Sequence, residues 1–342
     1  MPRPPWLTLR SRPTSYWLNN ARFRNTNNAY VCRLPFWGPA LAKGCDQMKR
    51  KMFSGENTGY LFILPAVLTV GFVMLVPLLY TIFMSFQKLD IYTNTTKFVQ
   101  LKQYASLFRD QNFFLAVKNT FVWTAGSVFF QLLIGFVLAN IINMKTIRLK
   151  SQIRILLMVP WVLPSIVSAL VWQWSYHADF GIINEILKQI GILDKSVSWL
   201  SSIKTALPAA ILVNVWKMVP FVILMTEAAL QGVSVEVKEA ATVDGANSWQ
   251  TFRNVTIPQI RPTINTVILL LSIWTMNAFT FIYILTEGGP AHHSEILSLY
   301  IYQSAFLKYN YGQASAASVI LFALTGFIAL FYNRYIIGGD EQ

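Results

Sequence analysis

Long apolar stretches alternate with short polar segments along the chain, and this alternation predicts a membrane protein. Six stretches of about 20 or more residues carry few charges, and each is long enough to cross a hydrocarbon core of roughly 30 Å as a helix. They run approximately from Tyr60 to Phe86, Phe121 to Ile142, Ile153 to Trp174, Ala206 to Leu230, Thr263 to Leu285 and Ala314 to Tyr332. We therefore predict an all-α membrane protein with six transmembrane helices, kinked at Pro65, Pro77, Pro160, Pro164 and Pro220.

The composition agrees with this prediction, since 54% of the residues are hydrophobic and only 13% are charged, far from the balance of a soluble domain. The lipid bilayer is thus the first partner that we expect. The net charge of +13 raises the question of a nucleic-acid partner. Because the basic residues mostly flank the apolar stretches and form no continuous patch, we expect no nucleic acid.

The short loops between the stretches carry the charge asymmetry that sets membrane orientation. Basic residues lie before the first stretch, between the second and third, between the fourth and fifth, and after the sixth: Lys49, Arg50, Lys51, Lys145, Arg148, Lys150, Arg154, Arg253, Arg261 and Arg334. All of them fall on one side if the stretches alternate, so we place both termini in the cytoplasm. The longer loop from Gln87 to Lys118 is basic on the outer side, but long loops constrain orientation less.

A polar segment between the fourth and fifth stretches predicts two short helices outside the bilayer. Ser234 can cap the first helix, and Gly245 can close it in the left-handed backbone conformation. A second helix would begin near Asn247 or Ser248, carry Trp249, Phe252 and Val255 on one face, and stop before Pro258. Such an exposed helix pair indicates a docking surface, or alternatively an ordinary amphipathic interfacial helix.

This segment resembles the EAA signature of permease subunits in binding-protein-dependent ABC importers. The matching residues are Glu239, Ala240, Ala241, Gly245, Ile257, Pro258 and Pro262, while Val235 stands where the family usually has proline. The resemblance implies that residues 231–262 form a cytoplasmic coupling loop whose helix fits a cleft on a separate ATPase. The residues that it assigns to ATPase coupling are Glu239, Ala240, Ala241, Asp244, Gly245, Ala246, Phe252 and Pro258.

The resemblance extends over residues 55–338 and favours the carbohydrate branch of the family. Before the second stretch it includes Phe98, Tyr104, Leu107, Asp110, Phe114, Asn119 and Thr120, and after the fifth it includes the run from Leu285 to Pro290. It implies a type I ABC importer permease-like bundle in a bacterial cytoplasmic membrane. It also implies alternating access, with this chain forming half of the pathway.

The partners that follow from the resemblance are ABC ATPase subunits, a second related permease and an extracytoplasmic sugar-binding protein. The chain has no Gly-x-x-x-x-Gly-Lys-Ser/Thr motif, so we expect it to be no enzyme and to bind no cofactor, with ATP-Mg held by the ATPase. The pair His292 and His293 lacks the further spaced ligands of a zinc site, so we expect no metal.

Polar and aromatic residues inside the fourth and fifth stretches are candidates for a solute path. Asn214 and Lys217 share one helix face, as do Asn277 and Thr280. We expect these four to bind a hydroxyl-rich solute while Trp216 or Tyr283 stacks on a sugar face. The same pattern equally fits hydrogen bonds between helices, or Lys217 extending towards the membrane interface. Glu227 is assigned only contact with headgroups.

The first 47 residues contain both cysteines, Cys32 and Cys45, and seven basic residues against Asp46. They show no coherent apolar period, whereas Met48 opens a run into the first stretch. We interpret residues 1–47 as a non-native extension ahead of a permease domain at 48–342, with translation starting at Met48 or Met52. The alternative is a disordered basic arm near anionic lipid.

Three other functions remain open from the sequence. An ABC permease could carry a solute other than sugar. A secondary transporter would be expected to show internal repeats or carboxylates within the stretches, and a membrane enzyme would need a convergent set of catalytic residues; neither feature is found.

Overall fold

The structure, a computed structural model, describes residues 58–90, 93, 95–144 and 147–334. The predictions for residues 1–57, including the extension and the start site, lie outside the described residues. The chain divides into two compact units at Val76 and Pro77. The described part of the first unit is helical and exposes nearly all of its apolar side chains, as a helix surrounded by lipid or by another subunit would.

Helices dominate the described residues, as predicted for an all-α membrane protein. They are α1 (Thr58–Met84), α2 (Lys102–Leu107), α3 (Gln111–Asn143), α4 (Lys150–Val162), α5 (Ser165–Ser175), α6 (Ile182–Gln189), α7 (Ala206–Gly232), α8 (Val235–Val243), α9 (Ser248–Thr251), α10 (Ile257–Met276), α11 (Thr280–Leu285), α12 (Leu297–Tyr302) and α13 (Tyr311–Tyr332). Two π-helical segments, Phe252–Thr256 and Gln303–Leu307, extend α9 and α12. A small antiparallel hairpin, β1 (Gln87–Asp90) and β2 (Thr95–Phe98), pairs Gln87 with Phe98 and was not predicted.

Four described helices are long and apolar enough to cross a membrane: α1 from Phe62, α3, α7 and α13. The bent pair α4 and α5 supplies a fifth candidate, with a bend of 93° between the two helices. The predicted third stretch is therefore broken at Leu163 and Pro164. Proline at this position removes the backbone donor that a continuous helix would need.

The predicted stretch from Thr263 to Leu285 is also broken, into α10 and α11, so six uninterrupted helices are not found among the described residues. The indole nitrogen of the buried Trp123 donates to the Thr275 carbonyl at 2.9 Å. The Ala278 amide bonds the same carbonyl at 3.0 Å in a tightened last turn. The Ser298 hydroxyl donates to the Ala278 carbonyl at 2.9 Å. These contacts end α10 and start a new helix direction at α11.

Helix α7 lies at the centre of the second unit and packs most extensively against α3. Their backbones approach closely, because a Cβ atom on Gly135 would lie 2.5 Å from Cβ of Val222. The largest buried cluster joins Trp123 of α3 with α5, α7, α11 and α12. α7 is thus fixed along most of its length before it reaches the polar segment that follows it.

Side chains from α3 hold the loop between α11 and α12. Asn119 donates to the carbonyls of His292 and Glu295 at 3.2 and 2.9 Å, and the Thr120 hydroxyl accepts from the Leu297 amide at 2.8 Å. At the start of α3, Asp110 caps the helix and accepts from the Tyr300 hydroxyl at 2.7 Å. These contacts give a structural reason for Asp110, Asn119 and Thr120, three of the residues that carry the resemblance.

Glu295 is the buried carboxylate of this loop, with no exposed side-chain surface. It contacts the ring of His292 through a hydrogen bond. Burial raises the pKa of Glu295 above its ordinary value, and the bond from His292 offsets part of that effect.

Candidate functional site

Helix α8 is the predicted docking helix, and both of its ends are closed as the sequence predicts. The Ser234 side chain accepts from the Val237 amide at 3.4 Å at the N-terminus. At the C-terminus Gly245 has φ +84°. The Ala246 amide donates to the Ala241 carbonyl at 2.9 Å and the Gly245 amide to the Thr242 carbonyl at 3.1 Å. This pair of bonds is a Schellman motif, which stops the helix abruptly at a left-handed residue.

No described side chain of α8 is buried. Glu239 and Ala240 are exposed and Ala241 is half-buried, while Val243 exposes 87% of its surface. Asp244 is exposed as well, and Ala246 is half-buried. Val235 and Val237 are exposed too, so three valines of α8 face away from the rest of the described chain.

The second short helix does not stop before Pro258, and this prediction is wrong. Asn247 and Gln250 form a reciprocal capping box at the start of α9. The chain then stays helical through the π segment into α10, where Pro258 lies in the first turn. Proline is tolerated there because that position needs no amide donor. The Ile257 amide reaches back to the Phe252 carbonyl, which carries the helix past the proline.

The coupling segment, which we define as residues 231–262, rests on the membrane helices through a small apolar base. Leu230, Val233 and Ile260 are buried together. Phe252 packs between Phe136 of α3, at a ring distance of 6.3 Å, and the exposed Trp249 at 5.9 Å. Phe252 therefore contacts this chain's own helices.

The three candidate path residues of α7 lie inside the second unit. Asn214 is 4% exposed and Lys217 6%. The Asn214 backbone carbonyl accepts from the Gln131 side chain at 3.3 Å. Trp216 is half-buried and packs edge-on against Trp172 of α5 at 5.6 Å. The structure brings Lys217 to backbone carbonyls at the break between α4 and α5, those of Pro160, Trp161 and Leu163.

The three candidates near the break between α10 and α11 are more accessible. Asn277 is exposed and lines a groove of about 440 Å³. The other polar residues of this groove are Ser298, Ser318 and Thr325, and its apolar residues are Ile301, Leu321 and Phe322. Thr280 is half-buried. Tyr283 stacks on Phe279 at 4.9 Å and meets Tyr302 at 5.3 Å. The structure thus groups the path candidates into a buried set on α7 and an exposed set at this break.

The prediction that Glu227 contacts only headgroups is wrong, because this carboxylate is buried and paired within the chain. It is 4% exposed and forms a two-point ion pair with Arg154 of α4, at 2.6 Å to Nε and 3.1 Å to Nη2. The only signal in the sequence is a carboxylate within an apolar stretch and an arginine at the start of another. The partners lie 73 residues apart, so spacing alone does not pair them.

The exposed helix α8 thus lies between the long helices α7 and α10, where the family resemblance places its signature. Residues 131–337 match the model of the binding-protein-dependent transport system inner membrane component family. The chain belongs to this family. It is accordingly a non-catalytic permease subunit of an ABC importer in the inner membrane, and ATP is hydrolysed by a separate subunit.

Curated relatives cover most of this ABC permease. A probable ABC transporter permease of Brucella suis is 31% identical over 83% of this chain and 98% of its own length. The trehalose/maltose transport system permease of Thermococcus litoralis is 30% identical over 81% and 92%. The sulfoquinovosyl glycerol transport system permease of Agrobacterium fabrum is 29% identical over 81% and 89%.

A solved structure confirms the type I permease fold. A chain of a bacterial ABC transporter involved in the import of the acidic polysaccharide alginate superposes with a TM-score of 0.71. It covers 86% of this chain and 97% of its own length, at 22% sequence identity. Family membership sets aside the secondary transporter and the membrane enzyme.

Proposed function

We propose that this permease imports sugars, forms half of the translocation path, and is driven through α8. The observation that carries the coupling role is the exposed helix α8, closed by Ser234 and Gly245 and based on Val233 and Ile260. The sugar assignment is supported by relatives named for trehalose/maltose and for sulfoquinovosyl glycerol. It is also supported by the fold shared with the alginate importer.

The ATPase would dock on the exposed face of α8. Small side chains at Ala240 and Ala241 allow a partner backbone to approach, and Glu239 and Asp244 offer carboxylates to basic groups or helix ends. Gly245 fixes the direction in which the chain leaves the helix. Movement of the ATPase subunits would then shift α8 with its base and tilt α7, which ends only two residues before α8.

The exposed set near the α10–α11 break is the part of the path that we propose meets solute. Asn277, Ser298, Ser318 and Thr325 offer amide and hydroxyl groups along one groove. Tyr283, which follows the same helix break and stacks on Phe279, adds an aromatic side chain, and aromatic side chains with nearby hydrogen-bonding groups suit small-molecule sites. Asn214, Trp216 and Thr280 complete the proposed path from inside the unit, while Lys217 is occupied with the α4 carbonyls.

The assembly that this proposal requires has both termini and α8 on the cytoplasmic side. A second related permease would supply the other half of the path, with ATPase subunits inside and an extracytoplasmic sugar-binding protein outside. The long, almost wholly exposed helix α1 to Val76 fits contact with lipid or with that second permease.

The test of the sugar assignment is ATP-dependent uptake by the complete complex in proteoliposomes. The radiolabelled panel is maltose, trehalose, sulfoquinovosyl glycerol and alginate oligosaccharides, with phosphate and a polyamine as non-sugar probes. We expect uptake of at least one sugar and loss of affinity in Asn277→Leu. The matched control is Asn143→Leu, which changes an exposed asparagine outside the groove. Uptake of a non-sugar probe alone would contradict the assignment.

A further inference from the structure

Helix α4 is attached to α7 in an unusual way, because none of its side chains is buried. Ile153 and Leu157 pack only partly against the cluster of Val215, Val219 and Ile223 on α7. Most of its other apolar side chains are exposed. Apart from the stacking of Trp161 on Phe221 of α7, at a ring distance of 6.0 Å, apolar packing therefore gives α4 little hold on its neighbour.

Polar contacts hold α4 to α7 at both ends. At its C-terminal end Pro164 has no backbone donor for the Pro160 carbonyl, and the bend leaves the last carbonyls of α4 without helical partners. Lys217 donates to three of them, from Pro160, Trp161 and Leu163. A cation at a helix C-terminus also interacts favourably with the helix dipole.

Towards the opposite end of α4, Arg154 donates two hydrogen bonds to Glu227, from Nε to Oε2 at 2.6 Å and from Nη2 to Oε1 at 3.1 Å. Both oxygens of the 4%-exposed carboxylate are engaged. The contacts join 154 with 227 and 160–163 with 217, so the two helices run antiparallel with both contact points roughly 10–15 Å apart along each axis.

Glu227 is buried, whereas the Arg154 side chain is 38% exposed. An ion pair of this kind is a weak source of net stability, but it favours one register between two elements. Because the planar guanidinium of arginine bonds both carboxylate oxygens, the pair also fixes the relative orientation of the two side chains. Glu227 lies five residues before Gly232, where α7 ends, or about 7–8 Å along the helix, and α8 begins at Val235. The ion pair therefore lies beside the point at which the coupling segment joins α7.

We infer that Arg154 and Glu227 act as a latch that makes α4 move together with the inner half of α7. Lys217 is the second point of attachment, and movement of the coupling segment is thereby passed to the bent pair α4 and α5. Arg154 and Glu227 are positioning residues in this account, since they act through the helices rather than on the solute. The inference rests on the proposed coupling role of α8.

The test compares Arg154→Gln, Glu227→Gln and the reversed pair Arg154→Glu with Glu227→Arg. Spin labels replace Leu156 on α4 and Leu224 on α7, both exposed, in a background with Cys32 and Cys45 changed to serine. Distances are measured in nanodiscs for the complex with its ATPase, without nucleotide and with ATP and vanadate. The matched control is Arg148→Gln, an exposed arginine in the loop just before α4.

The latch predicts one narrow distance that is the same in both nucleotide states for the wild type and for Arg148→Gln. In the single glutamine variants the narrow distance is lost in the ATP state, and the reversed pair restores it. For the sugar transported in the uptake assay, uptake per ATP hydrolysed falls by about fivefold or more, the lower end of ordinary coupling between linked sites.

Unchanged distances and unchanged uptake per ATP in the glutamine variants would overturn the latch. So would a parallel loss of uptake and hydrolysis with a constant ratio, because that pattern reports only reduced folding. If the wild type takes up none of the sugars, the sugar assignment fails by itself. The distances still decide the latch.

Discussion

Single residues set the direction of helices in this permease through their backbone groups. Gly245 has φ +84°, and beyond its chain neighbours no atom of the described residues lies within 4 Å of the place that a Cβ atom would take. The need for glycine there is thus conformational and not a matter of space. Ser234 and Asn247 act at the same scale by capping helix starts. Capping depends on residues within a few positions of each other, which is why the sequence alone predicted Ser234 and Gly245.

Replacing Gly245 with valine tests the rigid closure of α8. A β-branched residue in the left-handed conformation costs about 1–2 kcal/mol, so we expect the turn to open and transport to separate from hydrolysis. Uptake in proteoliposomes should fall strongly while ATP hydrolysis continues. Gly232→Val is the matched control, since its site is also open but has no positive φ. Normal ATP-driven uptake in Gly245→Val would show that the turn is not needed for coupling.

Lys217 is a residue whose partners no local pattern could reveal. Its three carbonyls lie 54 to 57 positions away, and they are free only because α4 breaks. The sequence therefore identified a charged residue inside an apolar stretch, but left open whether it meets solute or another helix. Its part in a solute path stays a prediction.

Lys217→Met should destabilise the permease. It retains the apolar bulk but removes the charged donor from the carbonyls at the α4 break, and a hydrogen bond from a charged group contributes about 1.5–3 kcal/mol. We expect a lower melting temperature in detergent than for Lys204→Met, which removes an exposed lysine from a loop. Equal melting temperatures for the two variants would mean that other donors take over these carbonyls.

At the scale of elements, the apolar pattern located the helices better than it located their breaks. The α3, α7 and α13 helices cover the predicted second, fourth and sixth stretches. The break after Val162 lies at Pro164, where the sequence predicted only a kink. The break after Met276 depends on tertiary contacts, since Trp123 and Ser298 donate to the Thr275 and Ala278 carbonyls from distant positions. Hydropathy averages over such breaks and predicted one helix where the structure has two.

The loop from α11 to α12 has a pH dependence that can be measured. Burial raises the pKa of Glu295, with smaller effects from His292, Lys308 and Asp110. The folded state therefore holds the proton more tightly than the unfolded chain. Binding of this proton contributes its full stabilisation below the ordinary pKa of 4.5. The contribution is lost as the pH rises through the pKa that Glu295 has in the folded protein.

We accordingly expect the melting temperature of the wild type to fall, relative to Glu295→Gln, as the pH is raised from about 4.5. Asp194→Asn, which changes an exposed carboxylate in another loop, should leave the pH profile of the wild type unaltered. A wild-type profile parallel to that of Glu295→Gln would show that ionisation of Glu295 costs nothing in the folded loop.

At the scale of the whole molecule, the charge pattern predicts one orientation in the membrane. The basic loops and α8 should face the cytoplasm, and the α6 region and the loop from α11 to α12 should face outward. Burial of α7 and exposure of α8 agree with a bundle whose polar segment emerges on one side. Among the described residues, four helices are long and apolar enough to cross a membrane, and the bent pair α4 and α5 raises the number of candidates to five.

Cysteine labelling measures this orientation directly. In a background with Cys32 and Cys45 changed to serine, Val243→Cys should react with a membrane-impermeant maleimide only from the cytoplasmic side. Asp194→Cys should react only from the outside. Both side chains are exposed, so access to reagent depends on the side of the membrane. Labelling of both positions from the same side would require a different number of crossings between α5 and α8.

The most direct test of the central account is to purify the tagged permease from its native host in mild detergent and identify the proteins that accompany it. Mass spectrometry should find an ABC ATPase and a second permease. A tryptophan at the exposed Ala240 should remove the ATPase while leaving the second permease in place. Isolation of the chain without an ATPase, repeated after cross-linking in intact cells, would contradict a coupling role for α8.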